Sequence, residues 1–322
     1  MTVAVETRPG LPILRHFDHW LFDGCDPRMC SVLRIACATL LIVYLSMWWQ
    51  EAELWFTDQG MVRAATMIEI SNGGNPSLLY WLPNDPWVVK LCLALCLGQT
   101  LLLGLGVWSR FQAACIFVWL LSFQHRNLLI CDGQDVLLRL LVFYLIFMPT
   151  DYAWSLGTWW RSRSDKARSD QVLSAVASRC AKPSAWGLRL VQLQITAIYF
   201  STAWEKFQGV TWRDGTALFY VARMDDLYGR FPLPDYLFET PWILAAMTWG
   251  VLLLEAVLPL LLWIKATRPW GLLAAAGLHL SIEATMHIYL FEWLMLICLL
   301  SFVDPKWFVK APSSRITKLS LT

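Results

Sequence analysis

Charge is what this sequence has least of. Asp, Glu, Lys and Arg make up 16% of its 322 residues, against about 25% in soluble domains. The formal net charge is +2, which offers no basic footprint for a phosphate backbone and excludes a nucleic-acid-binding domain. Metal-ligand spacing such as C-x-x-C is missing from the nine cysteines. Neither a zinc site nor a disulfide framework is therefore expected. Residues 1–12 have no apolar signal-peptide core, so the first apolar span is expected to stay as an anchor. No sequence repeat relates the two halves of the chain.

Apolar surface is what the sequence has instead. Hydrophobic residues reach 57%, mean hydropathy is +0.48, and there are 20 tryptophans, a residue that favours the membrane interface. The expectation is one polytopic integral membrane domain. Cys37, Cys92, Cys96, Cys115 and Cys298 lie in apolar runs and read as small buried hydrophobes. Cys25 and Cys30 flank the first run, and Cys131 and Cys180 fall in connectors.

About 20 apolar residues cross the hydrocarbon core. On that scale the runs 31–49, 87–108, 111–129, 134–150, 188–207, 241–264, 269–286 and 287–303 are the expected spans. The fold class is thus an all-α, polytopic membrane helical bundle of about eight transmembrane helices. Residues 1–25 form an N-terminal segment whose stretch 11–23 alternates apolar and charged side chains, as an interfacial helix does. Residues 26–305 form the membrane domain, with a polar loop at about 151–187, and residues 306–322 form a basic tail.

Lysine and arginine placement sets orientation. With the N-terminus inside, Arg8, Arg15, Arg28, Arg110, the 161–189 cluster, Lys265, Arg268 and the tail share the cytoplasmic side. The other side receives Arg63, Arg126, Arg213, Arg223, Arg230 and Lys206, together with most of the loop acids. Both termini are expected in the cytoplasm.

A charge at membrane depth costs about 2.5–3.5 kcal/mol on insertion scales, so each one needs a reason. In the fifth span Gln192, Thr196, Tyr199, Thr202 and Lys206 form one polar stripe, expected to face the bundle interior or a wet cavity. Lys206 ends that stripe. It is either a lysine able to act as a general base in a low-dielectric pocket or one that snorkels to the surface. Its neighbour Glu205 points about 100° away on a helix and need not pair with it. In the seventh span His279, Glu283 and His287 stand four apart and are expected on one face. The outer two are about 12 Å apart along the axis, too far to share one metal ion. A proton relay and plain structural hydrogen bonding both remain open for them. Glu255 and Glu292 are further carboxylates in apolar surroundings. Arg126, Asn127, Asp132 and Asp135 surround Gly133 between the third and fourth spans, and they either pin a helical turn or build a cavity mouth. In the first span Asp26 reads as a cap, Pro27 as a first-turn residue, and Arg34 as a snorkelling side chain.

Five segments carry a resemblance: DPRMCSVLRI (26–35), HRNLLICDGQDVLLRLL (125–141), WSLGTWW (154–160), LQITAIYFSTAWEKFQGVTWRDGTALFY (193–220) and LHLSIEATMHIYLFEWLML (278–296). In this order they resemble the horizontally transferred transmembrane (HTTM) domain family, whose animal relative is the vitamin K-dependent gamma-glutamyl carboxylase. In that enzyme a lysine after a Tyr-Phe-containing span is the proposed base toward the reduced quinone, before carbon dioxide adds to a glutamate carbanion. The resemblance implies that role for Lys206, which follows Tyr199-Phe200 and precedes Trp212 and Gly215. It also implies that His279 is a second catalytic group. Where the carboxylase has two consecutive lysines, this chain has Glu205-Lys206. The loops 50–86 and 207–241 are too short to form a peptide-substrate domain.

The expected function is a carboxylase-like membrane enzyme of carbon–carbon lyase or oxygenase type. It would work at the extracytoplasmic face with a reduced quinone, vitamin K-like cosubstrate. Lys206 and His279 are the expected catalytic residues. Tyr199, Glu205, Trp212, Glu283, His287, Arg126, Asp132 and Asp135 are the expected pocket residues, with no metal. Expected partners are membrane lipid and a peptide or protein client. The alternatives are a non-catalytic scaffold, maturation, export or immunity-type factor, and a transporter using Glu255, Glu283 and Glu292. The compact chain without an appended domain leads to the expectation of a bacterial inner membrane.

Overall fold

The computed structural model describes residues 12–73, 75–157, 159, 184–224, 229, 231, 233–304 and 306, with side chains from residue 17 onward. Within them the chain is helical, and no strand is found beyond an isolated bridge between Gly24 and Ser184. Eight helices fall on the eight expected runs: α1 Pro27–Gln50, α2 Pro86–Leu105, α3 Ser109–Arg126, α4 Gly133–Phe147, α5 Trp186–Gln208, α6 Pro241–Trp263, α7 Arg268–Thr285 and α8 Phe291–Leu299. An 11-residue helix, Pro12–Phe22, precedes them. Most of the expected polar loop and the basic tail lie outside the described residues.

Local chemistry sets the helix ends. Pro27, Pro86 and Pro241 each open a helix, where the missing N–H is no loss. Asp26 caps α1 by accepting from the backbone N of Arg28 at 2.9 Å. Asp132 and Asp135 close a reciprocal capping box at the start of α4. Helix α2 stops at Gly106, whose φ of +76° suits a residue without a side chain. A methyl there would stand 2.4 Å from Nη1 of Arg34.

By length and composition α1, α2 and α6 are long and apolar enough to cross a membrane. Of the other five, α4 has 15 residues and α8 has 9, the last turn after α8 tightening to a 3₁₀ turn, Leu300–Phe302. Helices α3 and α7 have 18 residues each, with polar side chains among them. α5 keeps its 23 residues but carries the polar stripe.

Packing joins α1 to α2, α2 to α3, α3 to α4, α5 to α6 and α6 to α7. Helix α8 inserts among them, touching α1, α4, α5 and α7. The buried side chains therefore form one continuous core rather than two. The N-terminal helix docks on it through Trp20, whose ring lies 5.5 Å from that of Trp263 and beneath the guanidinium of Arg189 at 5.3 Å.

Arg34 departs from the expected snorkelling. It is fully buried and donates to the carbonyls of Thr150 and Trp154, each at 2.6 Å, in the segment after α4. Those carbonyls lie beyond the helix end and need a donor. Cys37, Cys92, Cys96 and Cys298 are buried as expected, whereas Cys115 is only half-buried. Cys25 and Cys30 are reduced, with sulfurs 3.8 Å apart, and Cys180 lies outside the described residues.

Candidate functional site

The polar stripe of α5 faces α6, α7 and α8, and each of its long side chains meets a partner there. Gln192 donates to the carbonyl of Ser301 at 2.6 Å, and Thr196 accepts from Trp263 Nε1 at 2.8 Å. Tyr199 meets Nε2 of His279 on α7 at 2.6 Å. Lys206 Nζ donates to Oε1 of Glu255 on α6 at 2.5 Å. Four- and three-residue steps keep these groups on one helix face, so one helix delivers both a phenol and an ammonium to the same side.

The two deeper contacts extend further. His279 Nδ1 hydrogen bonds Glu292 of α8, giving the chain Tyr199–His279–Glu292, with all three residues buried. With Glu292 ionised it can only accept. Nδ1 then carries a hydrogen, and in the neutral ring Nε2 is left to accept the Tyr199 hydroxyl. Lys206 is held on two sides: its Nζ also lies 4.9 Å from the ring centre of Trp212, within cation–π range. Its side chain is 25% exposed and that of Glu255 8%, so this is an ion pair at the edge of the protein interior and not a fully solvated one.

Both groups open on one cavity of about 400 Å³. Tyr199, Lys206, Trp212, Glu255, His279 and Glu292 supply its polar wall, and residues such as Val251, Leu278, Phe291 and Met295 supply an apolar one. An apolar cleft with a few convergent polar groups is the common form of a small-molecule site. A larger hollow at Trp108, Arg110 and Asp151 lies away from these residues and is lined by the turn before α3 and the segment following α4.

The structure thus brings Lys206, Tyr199, Trp212 and His279 together. Glu205 is exposed and is not part of the cavity wall. Glu283 is not part of the cavity wall. His287 corrects an expectation: α7 ends at Thr285, so His287 sits exposed in the connector to α8 and shares no helix face with His279. Glu255 and Glu292, noted in the sequence only as carboxylates in apolar runs, prove to be the partners of Lys206 and His279. They lie 49 and 13 residues from them in sequence. Periodicity within one helix carries no signal for such pairs.

Arg126, Asp132 and Asp135 stand elsewhere, around the start of α4. Arg126 is buried, pairs with Asp58 at 2.9 Å and donates to the carbonyl of Val62 at 3.1 Å. Asp132 accepts from the backbone N of Gln134 at 2.7 Å. Asp135 has both oxygens engaged, one by the Tyr44 hydroxyl and one by the backbone N of Asp132 at 2.7 Å. A hollow lined by Tyr44, Trp48, Gln134 and Tyr289 opens beside them, but these charged groups are spent on fixing the turn. Among the described residues no group of three His, Cys, Asp or Glu side chains is placed to hold a metal ion.

No solved structure matches the chain. The model of the HTTM domain matches residues 25–307, nearly the whole length. That span includes every helix from α1 to α8 and every residue of the cavity. The protein therefore belongs to the HTTM domain family, membrane proteins related to the vitamin K-dependent carboxylases.

Proposed function

We propose that this protein is a multi-pass protein of the cell inner membrane, with eight spans and both termini in the cytoplasm. We infer that it is an enzyme acting at the extracytoplasmic face on a lipid-soluble, quinone-type cosubstrate. The coincidence of eight helices with eight apolar runs and the one-sided distribution of lysine and arginine support the topology. The single observation that carries the enzymatic reading is the partly buried Lys206–Glu255 pair, which lines one largely apolar cavity together with the Tyr199–His279–Glu292 chain.

The donor set fits such a group. Its apolar walls suit a ring, and its polar groups can exchange hydrogen bonds with ring oxygens. A reduced quinone would supply an ionisable hydroxyl on that ring. Lys206 is the general base of this reading, and the pair it forms with Glu255 holds the exchangeable proton. Trp212 packs against the ammonium. His279, oriented by Glu292, is the second acid–base group and acts through Tyr199 or directly at the cavity wall.

Native mass spectrometry of the purified protein, with lipid extraction, tests this reading on wild type and Lys206→Ala. The expected result is a quinone-mass adduct in wild type that the variant loses while keeping its elution volume and thermal stability. Bulk phospholipid alone in both proteins would overturn the enzymatic reading in favour of a scaffold or maturation factor.

A further inference from the structure

One buried polar atom of the cavity is left without a partner. Oε1 of Glu255 accepts from Lys206, but Oε2 is buried and makes no hydrogen bond among the described residues. The residue is 6% exposed and part of the cavity wall. A carboxylate oxygen removed from water without a donor is destabilising. The final torsion of a glutamate is broad, so the carboxylate, both oxygens turning together, can reorient at the cavity wall that it lines.

We propose that Glu255 is the acceptor on which a ligand hydroxyl docks in the ion-pair state, with Lys206 orienting the carboxylate and balancing its charge until the proton they share passes to Glu255 and frees the amine to act as base. The inference rests on the cavity being the ligand site and adds which atom meets the ligand. Its chemistry is selective. In the ion-pair form a carboxylate has no hydrogen to give, so a carbonyl or ether oxygen brought to the same place meets negative charge. A ligand carrying an O–H donor satisfies the orphan oxygen with a charge-assisted hydrogen bond, stronger than a neutral one. Tyr199 spends its hydrogen on His279 and keeps lone pairs that can accept, but it carries no negative charge, so its bond to a ligand hydroxyl is the weaker of the two. Lys206 could reach a ligand oxygen as a donor, and that is the rival arrangement the experiment has to separate.

Three probes of nearly equal shape do so: 2-naphthol, which can donate and accept; 2-methoxynaphthalene, which can only accept; and naphthalene, which can do neither. Saturable binding to the full chain in nanodiscs, after subtraction of empty nanodiscs, is followed by probe fluorescence. The expected result is that 2-naphthol binds about tenfold or more tightly than both others, the range of one hydrogen bond to a charged group. Glu255→Gln should bring the three toward parity. The double variant Lys206→Met/Glu255→Leu, which leaves no lone buried charge, should do the same if the single variant folds poorly. Equal binding of 2-naphthol and 2-methoxynaphthalene would overturn the proposal, since Lys206 would then be the group that meets the oxygen. A preference that survives Glu255→Gln and vanishes in Tyr199→Phe would overturn it in favour of the tyrosine. Failure of all three probes to saturate would sink the reading of the cavity as a ligand site, and this inference with it.

Discussion

Around the start of α4 and around the C-terminal half of α5, the bundle buries similar side chains: a tyrosine, carboxylates, a cation. At α4 the groups close on each other and on backbone. Asp135 uses one oxygen on Tyr44 and the other on a backbone N–H, while Arg126 bridges Asp58 and a carbonyl. At α5 the same kinds of group form pairs and then stop at a cavity wall, with one oxygen of Glu255 unused. Residue type does not separate the two regions. The separation comes from whether the bonding capacity of each buried group is spent locally, because an unspent group is costly unless something else fills it.

Asp135→Ala should break the first region hardest. It removes the return bond of the capping box that Asp132 opens, worth about 1 kcal/mol, and strips the buried Tyr44 hydroxyl of its carboxylate, worth a further roughly 1–3 kcal/mol. Thermal or denaturant unfolding in detergent should show that sum, and a change below about 1 kcal/mol would mean the turn is not pinned as described. Tyr199→Phe should cost less, about 1 kcal/mol, because one hydrogen bond is lost while the ring still fills its place. Nitrogen NMR of labelled histidine is the sharper readout, since His279 Nε2 should lose its partner while Nδ1 keeps the bond to Glu292. The smallest stability change belongs to Lys206→Met/Glu255→Leu, about 1 kcal/mol or less, as buried pairs replaced together by apolar residues are well tolerated. A loss as large as that of Asp135→Ala would place the pair with the structural cluster instead.

Much of the fold was legible because apolar runs report helices directly, and Asp26-Pro27 and Asp132…Asp135 report where two of them start. The connector between α7 and α8 was not. The run 269–286 ends within a residue of Thr285, but 287–303 follows it at once, and nothing in the periodicity marks the break before Phe291 that takes His287 off the helix face. Lys206 and His279 stood out because each is a polar residue in apolar surroundings. Their true partners were invisible, as pairing between α5 and α6 or α7 and α8 depends on helix rotation and height. Arg34 was misjudged because sequence shows the cost of burying a guanidinium but not the two carbonyls beyond α4 that offset it.

The N–H of Leu290, just before α8, is held by the side chain of Gln134 on α4 at 3.1 Å. Two residues later on that helix comes Glu292, the end of the Tyr199–His279–Glu292 chain. The spacing of groups contributed by the second half of the sequence is thus gauged against a helix from the first. Should α4 slide along its axis, Glu292 is drawn with it, and the hydrogen bond to His279 lengthens or tightens like the needle of a strain gauge.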